Sequence, residues 1–167
     1  MKRQDGSVDF NKEWEDYKHG FGSLNGEFWA GNEMIPQLTT GGQTYTLRVD
    51  LKNYDGVSIY AKYDSFLVDS EYKKYRLSVS GYDVNSTADN SLADNNNCEF
   101  STASIDNDID SSIHRANMFS APWWYCYGGS VILTGEYGEN ANFGIIWAGP
   151  FSYWSFYRDA VVMVRPN

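Results

Sequence analysis

Between Thr44 and Gly81 the apolar residues recur at every second position, and this alternation constrains the fold more than any other feature. Tyr45, Leu47, Val49 and Leu51 interleave with Thr44, Thr46, Arg48 and Asp50. A period of two puts all four apolar side chains on one face of a strand. Asn53-Tyr54-Asp55-Gly56 reads as a turn, and Val57, Ile59, Ala61 and Tyr63 then alternate again. Tyr75, Leu77, Val79 and Gly81 make a third run. Connections this short do not allow a parallel crossover, so the three strands form an antiparallel meander.

The flanks behave differently. Phe10, Trp14 and Tyr17 fall at i, i+4 and i+7, which predicts a short amphipathic helix over Lys12–Lys18 stopped by Gly20. A second short helix is expected over Asn32–Thr39, before Gly41-Gly42. From Val84 to Pro122 the periodicity dissolves into Asn, Asp and Ser. So long an irregular stretch inside a domain is usually either functional or wrongly read, and it needs something to hold it: an ion, a disulfide or buried aromatics. Beyond it, Val131-Ile132-Leu133 and Val161–Val164 read as buried strands. The 167 residues suffice for one domain with a real core. The expected layout is a single unit over 1–167, with helices and central sheet in 1–83 and a loop-rich part with a closing strand in 84–167.

Charge and composition narrow the function. Thirteen basic and 22 acidic residues give a net charge of -9, which speaks against a phosphate-backbone partner and is compatible with cations or neutral glycans. No stretch approaches the roughly 18 apolar residues of a membrane span. Met1-Lys2-Arg3-Gln4 runs straight into polar sequence, so no leader is visible. The 6 Trp, 13 Tyr and 9 Phe either fill the core of a loop-rich domain or line a binding surface. Cys98 and Cys126 are the two cysteines, and Asn85-Ser86-Thr87 is a glycosylation sequon.

Two constellations carry chemistry. In Asp106-Asn107-Asp108-Ile109-Asp110-Ser111-Ser112, carboxylates two residues apart repel unless they are solvated or share a cation. In Ala121-Pro122-Trp123-Trp124-Tyr125-Cys126-Tyr127-Gly128-Gly129, the aromatics cannot all face one core, so some should line a cleft. Hydrolase signatures are missing, and the chain has two histidines, His19 and His114. A glycosidase needs only two acids, for which Glu27, Glu33 and Glu136 are candidates, yet nothing pairs them.

The residues resemble the fibrinogen C-terminal domain of fibrinogen chains, ficolins, tachylectins, angiopoietins and tenascins. The matches run in order through Gln4–Phe10, Trp14 with Tyr17-Lys18, Gly20-Phe21-Gly22, Gly26–Trp29, Gly31-Asn32-Glu33, Leu47–Leu51 and Tyr60–Tyr63. They continue through Phe100-Ser101-Thr102, Asp106-Asn107-Asp108, Trp123-Trp124-Tyr125, Gly144–Trp147 and Arg165-Pro166. The resemblance implies a fibrinogen-like α+β fold lacking the family's N-terminal subdomain. It implies a calcium (Ca2+) site with side-chain carboxylates from Asp106 and Asp108 and backbone carbonyls from Asp110 and Ser112. The family's cysteine after the calcium loop falls at His114, and its partner at Gly128. Cys98 and Cys126, out of that register, are then either a replacement disulfide or two free thiols.

The same resemblance implies a ligand pocket beside the loop, built from Phe119, Tyr125, Tyr127, Gly128, Gly129 and Tyr153, with a cis peptide near Tyr127-Gly128. A later tyrosine of that pocket falls in a shortened stretch, Gly138–Phe143. The expected role is non-catalytic, secreted recognition of acetylated or other glycans, with a receptor or matrix protein as the alternative partner and glycosidase activity third. Asn85 is the candidate glycosylation site, and oligomerisation would run through upstream segments.

Overall fold

The alternating runs form the long strands. They are β4 (Tyr45–Lys52), β5 (Ser58–Val68) and β6 (Leu77–Tyr82), paired antiparallel in that order. The computed structural model describes residues 1–39, 43–138, 143–149 and 152–167, without the side chains of Thr39, Ser152, Tyr153 and Trp154. The short strands β1 (Lys2–Arg3), β2 (Phe21–Gly22) and β3 (Phe28–Trp29) extend the sheet, and β12 (Asp159–Pro166) joins them to β4. The seven strands run β2-β3-β1-β12-β4-β5-β6. A three-stranded sheet orders β11 (Ser152–Tyr157), β10 (Ile145–Gly149) and β9 (Val131–Ile132), and β7 (Phe100–Ser101) pairs with β8 (Trp123–Trp124).

Strand β12 binds the two parts of the chain into one sheet. All eight of its residues pair with β4, from Asp159↔Lys52 to Pro166↔Tyr45, while Val161 and Ala160 pair with Lys2 and Arg3 on the other side. Because β1 is two residues long, β12 is flanked on both sides only near its start. This corrects the expectation of a buried Val161–Val164: Val161 and Val162 are half-buried, and Met163 and Val164 are exposed.

Helix α1 runs Trp14–His19, starting two residues later than the spacing predicts. The Glu13 N–H donates to Asp16 Oδ2 at 3.3 Å, a capping contact that fixes the start at Trp14. Gly20 ends the helix as expected: its φ of 89° lies where side chains are disfavoured, and its N–H donates to the Asp16 carbonyl at 2.8 Å. Helix α2 spans Met34–Thr39 rather than starting at Asn32. Asn32 is drawn away, its N–H donating to the Tyr17 carbonyl at 2.7 Å and its Oδ1 accepting from the Trp29 indole at 3.0 Å.

The core centres on aromatics gathered from distant segments. Phe100 lies 5.1 Å from Tyr17, 6.0 Å from Trp29 and 5.0 Å from Trp124, ring centre to ring centre. Tyr75, expected inside the third strand, instead precedes it with a φ of 52°. There it stacks on Trp14 at 5.3 Å and donates its hydroxyl to Glu33 Oε1 at 2.9 Å. Packing of a large ring therefore overrides the strand conformation at that position.

Candidate functional site

The irregular segment is held by side chains that satisfy backbone groups. Asn95 Nδ2 donates to the Trp124 carbonyl at 2.7 Å, and the Trp124 indole donates to the Tyr75 carbonyl at 2.6 Å. The Trp147 indole donates to the Asp89 carbonyl at 3.1 Å. Cys98 and Cys126 form a disulfide, their Cα atoms 5.4 Å apart, closing a separation of 28 residues. Of the two alternatives left open by the sequence, the bridge is the one the structure adopts.

The acidic loop follows β7. Ser101 Oγ accepts the Asn107 N–H at 3.0 Å, and Asn107 Nδ2 donates to the Phe100 carbonyl at 2.8 Å. Each acidic side chain then caps the backbone two residues on. Asp106 Oδ1 accepts the Asp108 N–H at 3.2 Å, Asp108 Oδ1 the Asp110 N–H at 2.8 Å, and Asp110 Oδ1 the Ser112 N–H at 3.1 Å. The Ser112 hydroxyl, its backbone N–H and Arg115 together hold the Asp110 carboxyl down to about 2.

Helix α3 (Arg115–Met118) starts against this loop. The Arg115 N–H donates to Asp108 Oδ2 at 3.0 Å, and Nη1 lies 3.4 Å from Asp108 Oδ1. Nη2 donates at 3.0 Å both to Asp110 Oδ2 and to the Tyr127 carbonyl. The Arg115 and Asp108 side chains are 9% and 0% exposed. His114, where the resemblance implies a cysteine, donates from Nε2 to the Thr102 carbonyl at 2.9 Å.

Sequence reasoning missed Arg115, although a signal was there. It is the sole lysine or arginine between Leu77 and Tyr157, a stretch carrying nine aspartates and glutamates.

Calcium takes six to eight oxygen ligands from carboxylates, carbonyls and waters, and so needs carboxylate oxygens that are free to face it. Here the Asp108 carboxylate accepts three hydrogen bonds without solvent access, and Arg115 already sits against it and Asp110. Among the described residues no group of three or more His, Cys, Asp or Glu converges as metal ligands. Asp106, Asp108, Asp110 and Ser112 share one loop, and with Arg115 and backbone N–H groups already on the Asp108 and Asp110 carboxylates the arrangement does not fit the ion.

The expected ligand pocket is partly filled from within. Phe119 and Tyr125 stack at 5.6 Å and are 5% and 0% exposed, and Phe143 meets Phe119 edge-on at 4.9 Å. The Tyr125 hydroxyl donates to the Ala121 carbonyl at 2.6 Å, so its ring belongs to the core. Gly129 packs so closely on Phe119 that a Cβ would come within 3.0 Å of Phe119 Cζ. Tyr127 and Gly128 are exposed, and Tyr127 turns its ring to solvent with 75% exposure. No cis peptide occurs among the described residues. The side chain of Tyr153 and residues 139–142 of the shortened stretch lie outside the described residues.

Around the acidic loop stand exposed apolar side chains that the sequence reading did not single out: Ile105, Ile109, Ile113 and Met118, joined by Tyr127. Their exposure ranges from 36% at Ile105 to 75% at Tyr127.

The acids proposed for sugar hydrolysis are engaged elsewhere. Glu27 is fully buried, accepting from Arg3 Nε at 3.4 Å and from the N–H groups of Gln4, Asp5 and Val8 at 2.8, 3.3 and 3.0 Å. Burial would raise its pKa, but these donors and the Arg3 charge bring it below the ordinary value. Glu33 accepts from Tyr75, and Glu136 lines a separate polar hollow with Arg3, Asp9 and Tyr137. An apolar cavity of about 270 Å³ lies under the sheet, bounded by Trp29, Leu47, Trp123 and Leu133, and none of the candidate site residues lines it.

A mainly antiparallel fold with few short helices and a long loop-rich part defines the class as a fibrinogen-like globe. Residues 1–167 match the family described as "Fibrinogen beta and gamma chains, C-terminal globular domain", and the chain belongs to that family. Ryncolin-4 of Cerberus rynchops is 40% identical over 171 residues, which cover 100% of this chain and 49% of that protein. Fibroleukin of Homo sapiens is 38% identical over 182 residues, covering 99% of this chain and 41% of the relative. The chain thus spans about half or less of these curated relatives. The fibrinogen-like globe of human ANGPTL2 superposes with a TM-score of 0.92 at 31% identity, covering 100% of this chain and 78% of that one. A lamprey fibrin D-dimer, solved with the peptide Gly-His-Arg-Pro-amide, gives 0.88 at 31% identity, covering 98% and 59%.

Proposed function

We propose that this chain is a secreted, non-catalytic recognition domain whose contact surface is the segment Ile105–Tyr127, and that its partner is a protein or peptide. The observation that carries the reading is the set of exposed apolar side chains, Ile105, Ile109, Ile113, Met118 and Tyr127, around a loop held by internal ion pairs. Apolar side chains on a rigid polar frame suit protein interfaces. The peptide held by the lamprey fibrin relative is in keeping with such a role. The disulfide and the exposed sequon at Asn85 suit an oxidising, extracytoplasmic setting, with Asn85 as the glycosylated residue.

A second reading rests on Tyr127, whose exposed ring beside Gly128 and Gly129 offers a stacking platform to a sugar. One experiment separates the two. Immobilised chain is offered an array of acetylated and plain glycans and, in parallel, a library of displayed peptides, using wild type and Ile109→Asp. The protein reading expects peptides enriched by the wild type and lost by the variant. Saturable glycan binding indifferent to Ile109→Asp, with no peptide enrichment, overturns it.

A further inference from the structure

Three carboxylates in five residues, Asp106, Asp108 and Asp110, need a positive charge close by if Asp108 is to be taken out of water and Asp110 partly so. The chain offers one candidate in that whole region. Arg115 is the sole lysine or arginine between Leu77 and Tyr157, and it is used on Asp108 and Asp110 while largely buried. The guanidinium does a second job. Its Nη2 also reaches the Tyr127 carbonyl at 3.0 Å, tying the acidic loop to the segment after β8. That is the link the resemblance assigns to a cysteine pair at His114 and Gly128, positions where this chain has none.

We infer that Arg115 is the resident cation of the Asp106–Ser112 loop, taking the place of calcium in both charge and position, so that the chain folds and presents this surface without metal. A planar fork of donors is suited to the task, because it meets two carboxylates and a carbonyl at once. Calcium and the guanidinium compete for the Asp108 carboxylate, and the guanidinium also engages the Asp110 side chain. The inference goes beyond the proposed function and does not depend on which partner the surface takes.

Thermal unfolding of the intact chain in chelator and in rising calcium, up to about tenfold above the 10⁻⁴–10⁻³ M range typical of extracellular modules, tests this. The wild type is expected to melt at one temperature throughout. Arg115→Gln, which keeps size but removes charge, should melt lower in chelator and recover by about 5 °C or more with calcium. Arg115→Lys, which retains the charge, should remain indifferent. A saturable calcium-dependent rise in the wild type overturns the inference, and so does a folded Arg115→Gln that ignores calcium. Should Arg115→Gln fail to fold in either condition, the wild-type titration decides alone: flat supports, rising refutes.

Discussion

Arg3 and Glu27 form an ion pair at 3.4 Å in which neither side chain reaches solvent, with 1% and 0% exposure. Arg3 also donates to the carbonyls of Leu133 and Gly135 at 3.1 and 2.9 Å and lies 4.0 Å over the Phe10 ring. The pair therefore fastens the start of the chain to the loop-rich part, and Glu27 is a structural residue. Glu27→Gln keeps the shape but leaves the Arg3 charge uncompensated. Breaking a buried pair costs roughly 3–5 kcal/mol, so the melting temperature should fall by about 10 °C or more. Calorimetry on the purified variant checks it, and a fall of less than about 2 °C would mean that water reaches the pair.

The Cys98–Cys126 bridge holds the segment that carries the contact surface. Closing a separation of 28 residues stabilises by roughly 3 kcal/mol in the chain-entropy description. The double variant Cys98→Ser/Cys126→Ser should unfold at lower denaturant, with a slope no smaller than that of the wild type because its unfolded chain is less constrained. An unchanged midpoint, or two reactive thiols in the unreduced wild type, would rule the bridge out.

Acid should weaken the fold in a defined window. Asp110 is held to about 2 and Glu27 lies below its ordinary value, so both bind protons less readily folded than unfolded. Their contribution is complete above about pH 4.5, the upper unfolded carboxyl value, and is lost as pH falls toward 2. Denaturation followed from pH 7 to pH 2 should be level above that point and decline below it. Asp110→Asn should decline less steeply. A variant as acid-sensitive as the wild type would remove Asp110 from this role.

Much of the fold was legible in the sequence because its long strands obey one simple period. Leu47, Val49 and Leu51 sit on the buried face as read. The reading slipped where tertiary contacts outweigh local pattern. Tyr75 left the strand to stack on Trp14, Asn32 left its helix to serve Trp29, and Val164 lost its cover because β1 is short. In the site, the acidic residues were visible as a cluster, and Arg115 stood out only as the sole lysine or arginine of the region, with nothing in the spacing to aim it at them. Spacing gives Asp108 and Asp110 at i and i+2, and only the fold of α3 back onto the loop brings Arg115 to them. Tyr125 read as pocket wall and is core, since the chain supplies its own rings, Phe119 and Phe143, to that space.

The surface around Arg115 can be tested through two exposed side chains that take no part in the core, Ile109 and Tyr127. Peptides selected on the wild-type chain should bind Ile109→Ser/Tyr127→Ser at least about tenfold more weakly, as expected when central contacts are removed, while the melting temperature stays unchanged. Equal affinity of the double variant and the wild type would contradict recognition through this surface.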